Sequence, residues 1–156
     1  IVYEKEVLNK TQQDGTAVSI QQAIFSGDAE KLQALLEEFM LQSISSFDGA
    51  NEGFYHGMML GLCAVLSYRY QVRSNRESGL GRFDIMLFPR EKSLPGFIFE
   101  FKFAKDQNTS LEGLAEQALQ QIEEKKYDTE FLDAGIKDVV RIGIAFRGKN
   151  AVVKSR

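Results

Sequence analysis

The order of patterned segments along this chain predicts a mixed α/β fold: a central four- to five-stranded mixed sheet flanked by helices. Three observations carry that expectation. Stretches with helical apolar spacing come first, before any strand pattern. Three alternating segments then follow in close succession, which favours hairpin pairing. After them come a further helical stripe and two more alternating segments. Helices, three strands, helix, strand, strand is the order of a sandwich led by hairpins, not of a doubly wound sheet.

Taken in order, residues 17–25 form a short first helix. In 28–47, Leu32, Leu35, Leu36, Phe39, Met40 and Ile44 follow helical spacing, with Glu30, Lys31, Glu37 and Glu38 outside the stripe. Gly27-Asp28 supplies the start of this helix and Asp48-Gly49 its stop. Residues 51–67 form a helix that is apolar on most sides beyond Phe54, so it is expected to be buried, with Asn51 as its cap. "YQVRSN" and "RFDIMLFP" are strands, the second ended by Pro89. Arg90 to Pro95 make a turn, and "GFIFEFKFA" is the third strand. Leu111, Leu114, Ala118, Leu119 and Ile122 line one stripe of a helix over 110–126. A short helix near 128–134 ends at Gly135. "VVRIGIAF" and "AVVK" are the last strands, joined at Gly148-Lys149-Asn150.

The bulk numbers narrow the function classes. A chain of 156 residues, 44% hydrophobic and 26% charged, is a globular domain with room for a real core. The longest apolar run, "MMLGLCAVL", falls far short of the ~20 residues that span a bilayer, so no membrane role is expected. No basic, apolar leader opens the chain. The start at Ile1 and the stop at Lys154-Ser155-Arg156 read as a piece of a longer protein. Cys63 is the single cysteine, which excludes an intrachain disulfide framework and fits a reducing, cytoplasmic setting. Among Met58, Leu62 and Leu66 it reads as core. A net charge of −3 and a pI near 5.3 count mildly against nucleic-acid binding. Arg69, Arg73, Arg76 and Arg82 form a local basic cluster whose plain reading is a solvated face.

The chemistry centres on "GFIFEFKFAK". Phe97, Phe99, Phe101 and Phe103 share one strand face as core, and Ile98, Glu100 and Lys102 share the other. The bases of Glu100 and Lys102 then lie roughly 6–7 Å apart. The rival reading is a half-buried strand with a wet outer face. Asp84 stands inside an otherwise apolar strand, where burial is costly unless something pairs with it. The short link from Phe88 to Phe97 pairs the two strands and brings Asp84 towards Glu100 and Lys102. Two carboxylates so close repel, and one tends to stay protonated unless a divalent cation removes the conflict. Mg²⁺, with Mn²⁺ as its substitute, takes one or two carboxylates plus waters. Lys102 is then placed to orient or deprotonate a water and to counter developing negative charge. That is the apparatus of metal-assisted phosphodiester hydrolysis.

Asp84, followed by Glu100-Phe101-Lys102 on the next strand, resembles the PD-(D/E)XK nuclease superfamily. "NEGFYHGMMLGLCAVL", "SNRESGLGRFDIMLF", "FIFEFKFAK", "AEQALQQIEEKKYD" and "VRIGIAFRGKNAVV" strengthen that likeness. Together they look like the domain fused C-terminally to an ATPase-like domain in many bacterial proteins. The resemblance covers roughly residues 50–154. It implies a restriction-endonuclease-like domain over 50–156, with 1–49 as an N-terminal helical extension packed on it. It matches Asp84 and Glu100 to metal-binding acids, Lys102 to the catalytic lysine, and Glu52 to a further metal-site acid on the preceding helix. Phe83 stands where the motif's name has proline. The resemblance implies an Mg²⁺-dependent nuclease leaving a 5′-phosphate, with nucleic acid, DNA more than RNA, as partner. An upstream ATPase-like domain of the same chain and a homodimer are further implied partners. The alternative is a nuclease-fold module that binds nucleic acid or a protein without cutting.

Supporting candidates each have a plain reading. Glu52 can simply stabilise a helix start. His56, the only histidine, shares a helix face with Glu52 and reads as a packed residue beside the site. Glu77 and Arg82 flank the "SGLG" turn, which either approaches a phosphate or is a hairpin loop. Gln117 and Gln121 lie one turn apart on the helix after the E-x-K strand, where related nucleases supply a polar side chain to the site. Tyr127, beside Lys125 and Lys126, is a candidate backbone contact or part of a solvated helix end.

Overall fold

The computed structural model describes residues 15–43, 51–74 and 83–156. Within them, helix α1 covers 15–26, α2 spans Ala29–Ser43 and α3 spans Glu52–Ala64. Strands β1 (Tyr70–Ser74), β2 (Ile85–Pro89) and β3 (Gly96–Phe103) follow, then α4 (Leu111–Lys125), α5 (Thr129–Asp133), β4 (Val139–Arg147) and β5 (Asn150–Ser155). The five strands form one sheet in sequential order. β1–β2, β2–β3 and β4–β5 pair antiparallel, whereas β3 and β4 run parallel across the α4–α5 crossover. This is the mixed, hairpin-led sheet that the segment order predicts.

Local chemistry sets the helix ends. The Asn51 side chain accepts from the Phe54 N–H at 3.0 Å and opens α3 as expected. Asp28 accepts from the Lys31 N–H at 3.1 Å before α2, and Ser110 accepts from the Gly113 N–H at 3.1 Å before α4. Gly135, at φ +81°, closes α5 in the left-handed conformation that glycine adopts without a Cβ clash. The third helix is shorter than its apolar pattern suggests. It ends at Ala64, and Val65–Tyr68 wind more tightly as a 3₁₀ turn. Ile44 and the Asp48-Gly49 stop lie outside the described residues.

Both faces of the sheet are covered. Ile85, Leu87, Phe97, Phe99, Phe101, Ile142, Ile144 and Phe146 pack under α1, α2 and α3 on one side. On the other, Met86 and Ile98 pack under Ile122 and Phe131, and Ala145 under Leu111 and Ala115. The face carrying Ile98 and Glu100 is therefore no wet exterior, and the rival reading of that strand fails. Phe97 and Phe99 are fully buried, each stabilising the core by about 1.5–3 kcal/mol. Cys63 is buried core, its thiol pushed up to about 12 by desolvation.

Two close fits position the later elements. At Gly143 a Cβ would stand 2.6 Å from the Ala115 carbonyl oxygen and 2.9 Å from the Leu119 nitrogen. A glycine there lets α4 lie directly on β4. The N-terminal helices share the main core through Ile20, Ile24, Leu32, Leu36 and Met40. Gln33 of α2 also reaches the sheet margin, where its side-chain oxygen accepts from the Val153 N–H of β5 at 3.1 Å.

Candidate active site

Asp84 precedes the first residue of β2 rather than lying inside that strand. Its backbone still follows the pairing: its N–H donates to the Phe99 carbonyl at 3.1 Å. Continuing the register in which Ile85 faces Phe99 sets Asp84 opposite Glu100. Its carboxylate Oδ2 accepts from the Phe101 N–H at 2.7 Å. Asp84 thus brackets Glu100, with its own N–H on the Phe99 carbonyl and its carboxylate on the Phe101 N–H.

Glu100 is 7% exposed under α4. Its Oε1 accepts from the Gln121 side-chain amide at 2.9 Å, and its Oε2 is buried. Lys102, two residues on, donates from Nζ to the Gln121 oxygen at 2.7 Å and lies 4.0 Å from Glu100 Oε1. One glutamine therefore bridges the carboxylate and the ammonium, with its NH₂ towards the acid and its oxygen towards the amine. Gln121 rides on α4, whose height above the sheet is fixed by the contact at Gly143.

His56 of α3 approaches from the other face. It is buried, its Nε2 stands 2.8 Å from the Ser74 hydroxyl, and its Nδ1 stands 3.8 Å from Asp84 Oδ1. Its ring meets Phe101 edge-on at 6.1 Å. The imidazole is thus held between the end of β1 and the start of β2.

Burial dominates the electrostatics. Desolvation first, and the neighbouring Asp84 carboxylate second, push the Glu100 carboxyl up to about 8; Lys102 and the Gln121 bond pull the other way. Asp84 is also raised, by desolvation, against the Phe101 amide, His56 and Lys102. Two adjacent acids disfavour joint ionisation, and while one keeps its proton their side chains hydrogen-bond to each other. A hard divalent cation would take the place of that shared proton, so these residues fit such an ion as a two-carboxylate site completed by water. Among the described residues, no group of three His, Cys, Asp or Glu side chains is arranged to hold a metal.

Asp84, Glu100, Lys102 and Gln121 thus meet, with His56 behind Asp84. Glu52 does not join them in a three-ligand group. It is exposed in the first turn of α3 and lines a cleft of about 950 Å³ beyond the end of β3 with Tyr55, Lys105 and Lys149. Gln117 is exposed, one turn away from the bridging glutamine. Tyr127 is corrected from a candidate backbone contact to core: it is 8% exposed, and its ring meets Phe83 edge-on at 6.1 Å. The left-handed Lys126 turns the chain so that Tyr127 points inward rather than along the helix end. Glu77 and Arg82 lie outside the described residues.

Two contributors escaped the sequence reading. Ser74 is one, although its place two and four residues after Val72 and Tyr70 aims it at the same face as the buried Tyr70. The Phe101 N–H is the other, and a backbone donor leaves no trace in residue types.

A family model described as the PD-(D/E)XK nuclease superfamily matches residues 50–156. No curated protein and no solved structure matches the chain.

Proposed function

Because the chain belongs to the PD-(D/E)XK nuclease superfamily, we propose that it is a divalent-metal-dependent nuclease cutting phosphodiester bonds, of DNA in the first place. The observation that carries this is the buried Glu100 carboxyl set opposite Asp84 and within reach of a lysine. Asp84 and Glu100 would hold the cation, with Mg²⁺ the expected ion and Mn²⁺ its substitute. Such an ion supplies Lewis-acid polarisation of the phosphoryl oxygen and a more acidic water.

The remaining work falls to the chain's own groups. Lys102 directs its ammonium at the attacking water and at the charge that builds on the phosphoryl oxygens. Gln121 holds that ammonium and the Glu100 carboxylate by one hydrogen bond each. The Phe101 N–H and His56 fix the orientation of Asp84. In the same reading, the fragment works in the cytoplasm as the nuclease part of a longer chain with an ATPase-like domain upstream.

Supercoiled plasmid and a labelled oligonucleotide, incubated with Mg²⁺, Mn²⁺ or EDTA, test the proposal. Cleavage should require the divalent ion. Lys102→Ala should lose about 10²–10⁴-fold in rate while retaining the wild-type circular dichroism spectrum. Undiminished cleavage by that variant would remove the mechanism. Oligonucleotide binding with no cutting under any divalent ion would replace it by the non-catalytic module.

A further inference from the structure

The cleft beyond β3 has a use of its own. Lys105 and Arg147 line it from the strand ends, Lys149 from the β4–β5 turn, and Asn51, Glu52 and Tyr55 from the start of α3. Three cations against one acid make its wall basic in a chain whose net charge is −3. The local field is therefore opposite to the bulk charge.

Both loops that form the wall are pinned. Arg147 Nη1 donates to the carbonyls of Asp106 at 3.0 Å and Thr109 at 2.7 Å. Asp106 Oδ1 in turn accepts from the N–H groups of Asn108 and Thr109 and from the Thr109 hydroxyl. This fixes the loop that carries Lys105. On the facing side, the Tyr55 hydroxyl donates to the Gly148 carbonyl at 2.9 Å and ties the turn that carries Lys149 to α3. A loop held in place before binding loses little entropy on binding. The cleft shares two elements with the candidate active site, although no residue lines both. β3 supplies Glu100 and Lys102 to the site and leads directly into Lys105. Helix α3 supplies His56 to the site and, one turn earlier, Glu52 to the cleft.

We propose that this cleft is the substrate-strand subsite, in which Lys105 and Lys149 hold phosphates of the nucleic acid that flank the bond to be cut. The proposal rests on the nuclease reading of the adjoining site. Lys105 lies two residues past the end of the strand that carries Lys102. The ligand chemistry is the phosphodiester backbone, for which the two lysine ammonium groups are point-charge partners.

The test is equilibrium binding of a short fluorescein-labelled DNA duplex, read by anisotropy in EDTA so that nothing is cut. The double variant Lys105→Ala/Lys149→Ala should weaken binding at least ten-fold. Its plot of log Kd against log salt should flatten by about 2, one for each lost phosphate contact. Glu52→Gln should tighten binding several-fold by removing the acid from the wall. Lys92→Ala/Lys137→Ala, which removes two exposed lysines away from the cleft, should leave Kd and slope unchanged. Wild-type affinity in the cleft variant would overturn the assignment. So would an equal loss in the control pair, or no binding of the duplex by the wild type. Because the readout needs no cleavage, an inactive protein that still shows the cleft-dependent slope sinks the nuclease reading alone. Cleavage that ignores the cleft lysines sinks the subsite alone.

Discussion

Glu100→Gln, studied without divalent ion, exposes the electrostatics of the site through stability. The Glu100 carboxyl stands at about 8 against an ordinary value of 4.5, by burial first and then by Asp84. Between those values the folded chain keeps a proton that the unfolded chain has released. Raising pH across that window therefore lowers stability. Each unit corresponds to roughly 1.4 kcal/mol, so the full displacement bounds the loss at about 5 kcal/mol. Because the proton is shared with Asp84 and the pair titrates as a unit, the expected loss is about 2–4 kcal/mol. A glutamine keeps the acceptor for the Gln121 amide and carries no charge. Its advantage over wild type should accordingly grow from little at pH 5 to about 2–4 kcal/mol at pH 8. Urea unfolding in EDTA at pH 5, 6, 7 and 8 measures it. Adding Mg²⁺ at pH 8 should then stabilise the wild type and leave the variant unchanged. An advantage of equal size at pH 5 and pH 8 would refute the buried acid pair, because only a titrating group makes it grow.

The other expectations follow from individual contacts. Gln121→Leu should retain the fold and lower kcat by about 10–100-fold with KM little changed, since it releases Lys102 and Glu100 without touching substrate; steady-state cleavage checks it. Gly143→Ala should cost about 1–3 kcal/mol or more in urea, because its methyl group would press on the Ala115 carbonyl and the Leu119 nitrogen of α4. Ser74→Ala should lower the unfolding midpoint by the equivalent of about 1–3 kcal/mol, since it strips a buried partner from His56 Nε2. A midpoint equal to wild type would show that the pair does not meet.

Much of this fold can be read from period alone. The phenylalanine alternation gives β3 its faces, the short Phe88–Phe97 link gives the hairpin, and the leucine stripe gives α4. From those three, Asp84, Glu100 and Lys102 already fall on neighbouring strands. The surroundings were less legible. Whether the Glu100 face is wet or dry depends on α4 lying close to β4, and that depends on the bare backbone of Gly143, far along the chain. Gln121 rather than Gln117 reaches the site because residues one turn apart share a helix face but differ by about 6 Å along its axis, and the seating of α4 on the sheet sets which one arrives. Tyr127 misled because a polar-tipped aromatic after two lysines looks solvated, and only the left-handed turn at Lys126 reveals its direction. Glu52 followed the motif onto the right helix but, one turn from His56, faces the cleft instead of the acid pair.

The bond from Gln33 to the Val153 N–H has a further bearing. β5 is a terminal strand of the sheet, and its outward amides and carbonyls are a template on which a second chain could add itself. Helix α2 lies against that margin and occupies one of its donors, so it acts as a guard against self-association. A version trimmed to the stretch of family likeness would lose that guard together with Ile20, Leu32 and Leu36 from the core, and would be expected to clump in solution.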